Sequence, residues 1–462
     1  MTVRGKGRAL GAVVGGVSLV AAVAGMSPVS SASERHSSGS KTTLTVLMEQ
    51  ASSPAEVKAQ AAFFNQITSQ FEKEYPSISV KLSTYTGSAS SQVDPMVASH
   101  TGPNVLEIGT TFMPTIAASG AFVSWTKAML KQIDVSNLFL SAMKMAGLPG
   151  KAPVAIPDSS QPFALFYNKS MFAKAGIASP PTTWNQFVAD AKRLTDPRTG
   201  VYGAVIPPSD NYYNNHITWL LARQNGGELI NSSGTAALFA SKPVNQVLQF
   251  YVDWMSKFHI VAPSDAEFTE ADAVSNFLDG KAAMFPVGGL YDMGQIDATA
   301  SPSFIAKVLG VAPNPVIPYG DTKTPRYGLP TPSFVSGQEQ TIFKYSTSPA
   351  QERAAVDWIG FYTSPTVQER LPKLFGTLPI NKNAFSASYL KTPLWQTFAT
   401  IEKESAPTPL VAGWLDLASV WAPALAKVFD AIPLHTYEPG LLATTEQSAD
   451  SQIDSTLTSL GS

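Results

Sequence analysis

The chain contains no cysteine. Disulfides, thiolate metal sites, a cysteine nucleophile and lipid attachment at cysteine are therefore excluded. Charge is also scarce: Asp, Glu, Lys and Arg make up 14% of the 462 residues, against about 25% in an average soluble protein. The net charge is −2, so no basic surplus exists to neutralise a phosphate backbone, and nucleic acid is not an expected partner. The five histidines, His36, His100, His216, His259 and His435, lie far apart without ligand-pair spacing. No metal or other cofactor is expected from them. G-x-S-x-G, P-loop and H-E-x-x-H patterns are missing too.

What is present is apolar and aromatic. Hydrophobic residues reach 44% and aromatics 10%, so low charge here does not mean disorder. The length suits two domains or two lobes, each with its own core.

Arg4, Lys6 and Arg8 precede an apolar run over residues 9–24, and Ser30-Ser31-Ala32 offers small residues for cleavage. This is the layout of a secretory signal peptide over residues 1–32. An uncut membrane anchor is the alternative, but the run is shorter than the ~20 residues of a spanning helix. Residues 33–41 are polar and Ser-rich and read as a flexible tether. Val23-Ala24-Gly25-Met26 looks like a bacterial lipobox with Met26 in place of the acceptor cysteine. The expectation is an exported protein, periplasmic or at the cell surface, and not a lipoprotein.

Along the rest of the chain, Leu44, Val46 and Met48 alternate as in a half-buried strand that ends in Glu49 and Gln50. Ser53-Pro54-Ala55-Glu56 has the form of a capping box, and Ala61, Phe64, Ile67 and Phe71 predict an amphipathic helix over 54–75. Pro76 ends it, and Ile78, Val80 and Leu82 form the next strand, a β-α-β order that implies parallel pairing. Further strands are expected at 105–108, 163–167, 201–206 and 282–287. Helices are expected up to Ser119, after the capping box Thr183-Trp184-Asn185-Gln186, and at 244–258, 273–278 and 351–363. Prolines concentrate over 312–332, which suggests a segment crossing between lobes.

Five blocks occur in an order that resembles the bacterial extracellular solute-binding proteins of ABC importers, in particular the carbohydrate-binding family that includes maltose-binding protein. The first runs from Phe71-Glu72-Lys73-Glu74-Tyr75-Pro76 to Val80, like "FEKEYPxIxV". Gly102-Pro103-Asn104-Val105 is similar to "GxxPDV", with Asn104 where Asp is usual. The most specific runs from Tyr167-Asn168-Lys169 through Ala175-Gly176 to Pro180-Pro181-Thr182-Thr183-Trp184. Phe277 to Met284 resembles "FxxGKAAM", and Gly376-Thr377-Leu378-Pro379 resembles "GxLP".

The resemblance implies an α/β, two-lobed periplasmic-binding-protein-like fold of type II, each lobe a sheet flanked by helices with a ligand cleft between them. It places lobe 1 at residues 42–158 plus 315–372 and lobe 2 at residues 159–314 plus 373–462. Its partners would be a small-molecule ligand, a mono- or oligosaccharide, and the transmembrane subunits of an ABC permease, with the receptor itself a monomer.

A sugar cleft needs exposed aromatics for C–H faces and polar side chains for hydroxyls. Glu49 and Gln50 end the first strand, where the family places polar contacts. Gln161 sits at a hinge position where the family often has a carboxylate. Tyr291 follows the Gly288-Gly289 turn where the family has Trp, so ligand contact and local packing are both open to it; Gly289 is a ligand-contact candidate with it, and Asp292 beside it either accepts hydroxyl hydrogen bonds or faces water. Trp414 lies where the family has a stacking aromatic, yet Trp421 is seven residues on and the two also fit a core stripe. Thr111, Phe112 and Phe375 flank strand-end or Gly-containing turns, and Tyr85 sits just past a strand's end, with cleft and surface readings both open. Asn211-Tyr212-Tyr213 reads as a polar aromatic loop, with Tyr212 a cleft candidate. Trp184 is assigned to helix-start packing, and Tyr167 and Asn168 to hinge and fold.

Competing functions remain. An exported glycosidase needs two convergent carboxylates, and no spacing pairs Glu49, Asp158, Asp292 or Asp416. The same scaffold also suits a glycerol phosphodiester, a polyamine or a peptide, and a surface lectin is a further possibility.

Overall fold

The computed structural model describes residues 41–51, 54–87, 89–317, 328–411 and 414–460. The proposed signal peptide and all but Lys41 of the tether, and Ser53 of the first capping box, lie outside them. Among the described residues no helix is long and apolar enough to cross a membrane.

Strands β1 (Thr42–Glu49), β2 (Ile78–Tyr85) and β3 (Val105–Gly109) pair in parallel, with β1 central and Val46 opposite Leu82. Leu44, Val46 and Met48 are buried on one face, as their alternation requires. Helix Pro54–Glu74 covers that face. Its buried stripe is Gln60, Phe63, Phe64, Ile67 and Phe71. Ala61, expected in the stripe, is exposed; Phe63, a larger apolar side chain four residues before Ile67, takes the inward position.

The sheet continues with two strands that the sequence pattern did not announce. β4 (Ala155–Ser160) and β8 (Gly337–Ile342) complete the order β2-β1-β3-β8-β4, and β8 runs antiparallel to both neighbours. A bulge between Pro157 and Ser159 sits beside Gly337, whose φ is +145°. A Cβ there would stand 2.2 Å from Ser159 O, so only glycine fits.

A second sheet has β5 (Phe163–Asn168) between β6 (Met284–Gly289) and β7 (Leu309–Ala312), both antiparallel to it. The expected strand at 201–206 forms no ladder. Its residues lie beside β6 through a bridge from Tyr202 to Ala282 and a hydrogen bond from Val205 N to Met284 O. Helix Trp184–Leu194 opens with the expected reciprocal Thr183/Gln186 cap. Residues 211–213 are not a loop. They start helix Asn211–Gln224, capped by Asp210, whose carboxylate accepts from Tyr213 N. Trp414–Asp430 packs on this helix and on Leu441–Leu460.

Gln161 and Pro162 are all that separates β4 of the first sheet from β5 of the second. Gln161 N donates to Ser336 O, so two crossing segments are tied side by side.

Candidate functional site

The C-terminal ends of β1 and β3 and the start of β8 converge on one opening, where strand-end side chains are free of the core. Two cavities share it. The larger, of about 420 Å³, is lined by Glu49, Gln50, Gln161, Tyr291 and Phe375 of the expected residues. The smaller, of about 380 Å³, is lined by Glu49, Tyr85, Thr111, Phe112, Gln161 and Tyr212. Glu49, Gln161 and Gln338 face both, so the cavities are two compartments of one cleft.

Glu49 is fixed from three sides. Its carboxylate accepts from Gln338 Nε2 at 2.7 Å, its backbone N donates to Glu107 Oε2 at 2.8 Å, and its carbonyl accepts from Gln60 Nε2 at 2.8 Å. Burial raises its pKa above the ordinary carboxylate value, with the Gln338 hydrogen bond working against that. Behind it, Glu107 and Asp158 are buried and face one another; burial raises both, Asp158 to about 6. Gln340 Nε2 donates to Asp158 at 2.9 Å. Tyr85 OH donates to Glu107 O at 3.2 Å, and burial pushes that phenol upward. Gln50 N donates to Tyr85 O at 2.8 Å.

Across the cleft, Tyr291 follows β6. Val287, a β-branched residue, holds φ +55° at that strand end, and its N donates to Asn314 Oδ1 at 2.8 Å. The Tyr291 hydroxyl donates to Glu270, 2.6 Å from Oε1 and 2.5 Å from Oε2. Its ring stands edge-on to Phe163 at 5.7 Å. Burial and the carboxyls of Glu270 and Asp292 hold the phenol protonated. Tyr212, 39% exposed, hydrogen-bonds Ser336 Oγ at 3.1 Å. Beneath it His216 donates Nδ1–H to Tyr212 O at 2.6 Å and stacks on Phe334 at 4.1 Å. Burial lowers that imidazole to about 3, so it is neutral.

Three expected residues are not brought to either cavity. Gly289 is buried, and its N donates to Asp292 Oδ2 at 2.8 Å, which occupies the carboxylate expected to face ligand or water. Trp414 is 0% exposed in the main core, where a large apolar ring at a helix start gains most by burial. Conversely, the larger cavity includes Gln60, Glu107, Gln338, Tyr362 and Thr377, and the smaller Thr110 and Ser336, none of which was expected. Thr377 gave the clearest missed signal, inside the Gly-Thr-Leu-Pro block. Among the described residues no group of His, Asp or Glu could hold a metal ion.

Two helix-flanked sheets with a polar and aromatic cleft define a two-lobed fold of α/β class, and strong structural likeness bears this out. The sugar-binding protein MalE of Xanthomonas citri matches with TM-score 0.73, 19% identity and coverage of 90% of this chain and 98% of that one. Maltose-bound MalE3 of T. maritima matches with TM-score 0.68 and 22% identity over 91% and 100%. The chain belongs to the family of bacterial extracellular solute-binding proteins, whose profile matches residues 54–369. Among curated relatives, the diacetylchitobiose binding protein DasA of Streptomyces coelicolor is 24% identical over 379 residues, covering 80% of this chain and 81% of DasA. The family and these neighbours are binding proteins.

Proposed function

We propose that this chain is the exported receptor of an ABC importer, which holds a mono- or oligosaccharide between its lobes and delivers it to the permease's transmembrane subunits. The observation that carries the reading is the pairing across the larger cavity: the Tyr291 ring on one wall, and Glu49, Gln161 and Gln338 on the other. An aromatic face suits the C–H side of a sugar ring, and convergent carboxylate and amide groups suit its hydroxyls. Relatives described as binding maltose and diacetylchitobiose support the same class. The lobes would comprise residues 42–158 plus 315–372 and 159–314 plus 373–462, with the first crossing between them shifted to Gln161-Pro162 because β4 runs to Ser160. Closure of the lobes around ligand is the state the permease would read. The receptor works as a monomer outside the cytoplasmic membrane and has no catalytic role.

A thermal-shift screen against mono-, di- and oligosaccharides, with glycerol phosphates and peptides as controls, tests this. A ligand at 100 times its Kd adds about 2.7 kcal/mol. A selective saccharide shift is the expected result; a shift confined to the controls would overturn the saccharide assignment.

A further inference from the structure

The larger cavity is richer in carboxyl groups than a neutral polyol calls for. Glu49, Glu56 and Glu107 all line it. Four aromatic rings, Phe64, Tyr291, Tyr362 and Phe375, complete its walls. Among the described residues no Lys, Arg or His lines either compartment. On the far side, the carboxyl groups of Glu270 and Asp292 lie behind Tyr291. An independent observation marks the place as built for a polar ligand group: the Thr377 hydroxyl lines this cavity, is 6% exposed, and has no hydrogen-bond partner.

We propose that the larger compartment seats the protonated amine of its ligand. The shared chemistry is an ammonium group, carried either by an amine-bearing saccharide or by an aliphatic polyamine. This rests on the reading of the cleft as a solute site and narrows the solute it takes. An ammonium has hydrogen-bond donors and no acceptor, which matches a cavity of carboxylates, amide oxygens and a threonine hydroxyl. Aromatic faces attract a cation within about 6 Å of the ring. Carboxylates drawn out of water without a counter-charge are costly, and the ligand's cation supplies one. Burial also raises the Glu49 carboxyl, a desolvation penalty that a bound cation would offset. Uronic acids and sugar phosphates would find no Lys, Arg or His to pair with among the described residues that line either compartment.

The test is isothermal titration of the full chain near neutral pH with three probes: the β-1,4 disaccharide of glucosamine, cellobiose, and spermidine. Cellobiose shares the linkage and ring but carries no amine. The glucosamine disaccharide or spermidine is expected to bind at least about tenfold more tightly than cellobiose, the scale of one charge-assisted hydrogen bond. Glu49→Gln keeps an acceptor for Gln338 and is expected to abolish that preference; should it fail to fold, Glu56→Gln on the covering helix reads the same loss. Binding of spermidine but of no saccharide would sustain the inference and contradict the saccharide reading. Cellobiose binding as tightly as the glucosamine disaccharide would overturn the inference and leave the saccharide reading standing. A preference that survives both substitutions, or silence from all three probes, also overturns it.

Discussion

Tyr291 and Trp414 were equal candidates by residue type, and their surroundings separate them. Tyr291 stands on a cavity wall with its hydroxyl anchored to Glu270. Tyr291→Ala is expected to weaken saccharide binding about tenfold or more, with a smaller drop in the melting temperature of the free protein than Trp414→Ala causes, because the ring lines the cavity and packs only partly against the core. Trp414→Ala is expected to do the reverse. A fully buried Trp truncated to Ala costs about 3–5 kcal/mol, which a denaturant titration reads as a lower midpoint. The family resemblance pointed to Glu49 and Gln50 at a strand end and to Gln161 at a hinge position, and all three line the larger cavity. It missed Glu107, Gln338 and Thr377, which reach the cleft through pairings distant in sequence; Gln338 lies 289 residues from the Glu49 carboxylate it contacts.

At the scale of elements, strong periodicity and capping chemistry were readable. Helix Pro54–Glu74, the reciprocal cap at Thr183 and the β1–β2 pairing formed as the pattern required. β8 was not readable, because Gln338, Glu339 and Gln340 look like a solvated stretch, yet the last two are buried and Gln338 faces the cleft. Helix Asn211–Gln224 was obscured by weak helix formers at its start, where burial and the Asp210 cap outweigh propensity. Gly337 is where β8 is most vulnerable. Gly337→Ala combines a left-handed φ with a clash against Ser159 O and is expected to cost at least about 2 kcal/mol. Chemical denaturation checks it; wild-type stability in this variant would contradict the β4–β8 register.

Over the whole molecule, buried carboxyls set the response to pH. Burial raises Asp158 to about 6, Glu270, Glu402 and Glu446 to about 7, and Asp265 to about 8. Each holds a proton in the folded state that the unfolded chain has already released above the ordinary carboxylate range. The folded form therefore binds more protons in that window, and stability falls as pH rises through it. His216 acts in the opposite sense, but only below its ordinary value of 6.5. Between pH 8 and 6.5 the acids act alone, so the melting temperature is expected to rise as pH is lowered. Glu402→Gln, at a carboxyl that accepts from Ser141 and Ser160 Oγ at 2.7 and 2.6 Å, is expected to flatten that slope. Calorimetry across the range measures both.

On the proposed reading a saccharide sits in the cleft between the two sheets against Tyr291. Calorimetric titration of the wild-type chain and of Tyr291→Ala with the best saccharide from the panel measures this. Saturable one-to-one binding to the wild type and a loss of about tenfold or more in the variant are expected. Equal affinity for both proteins would place the sugar elsewhere and contradict it.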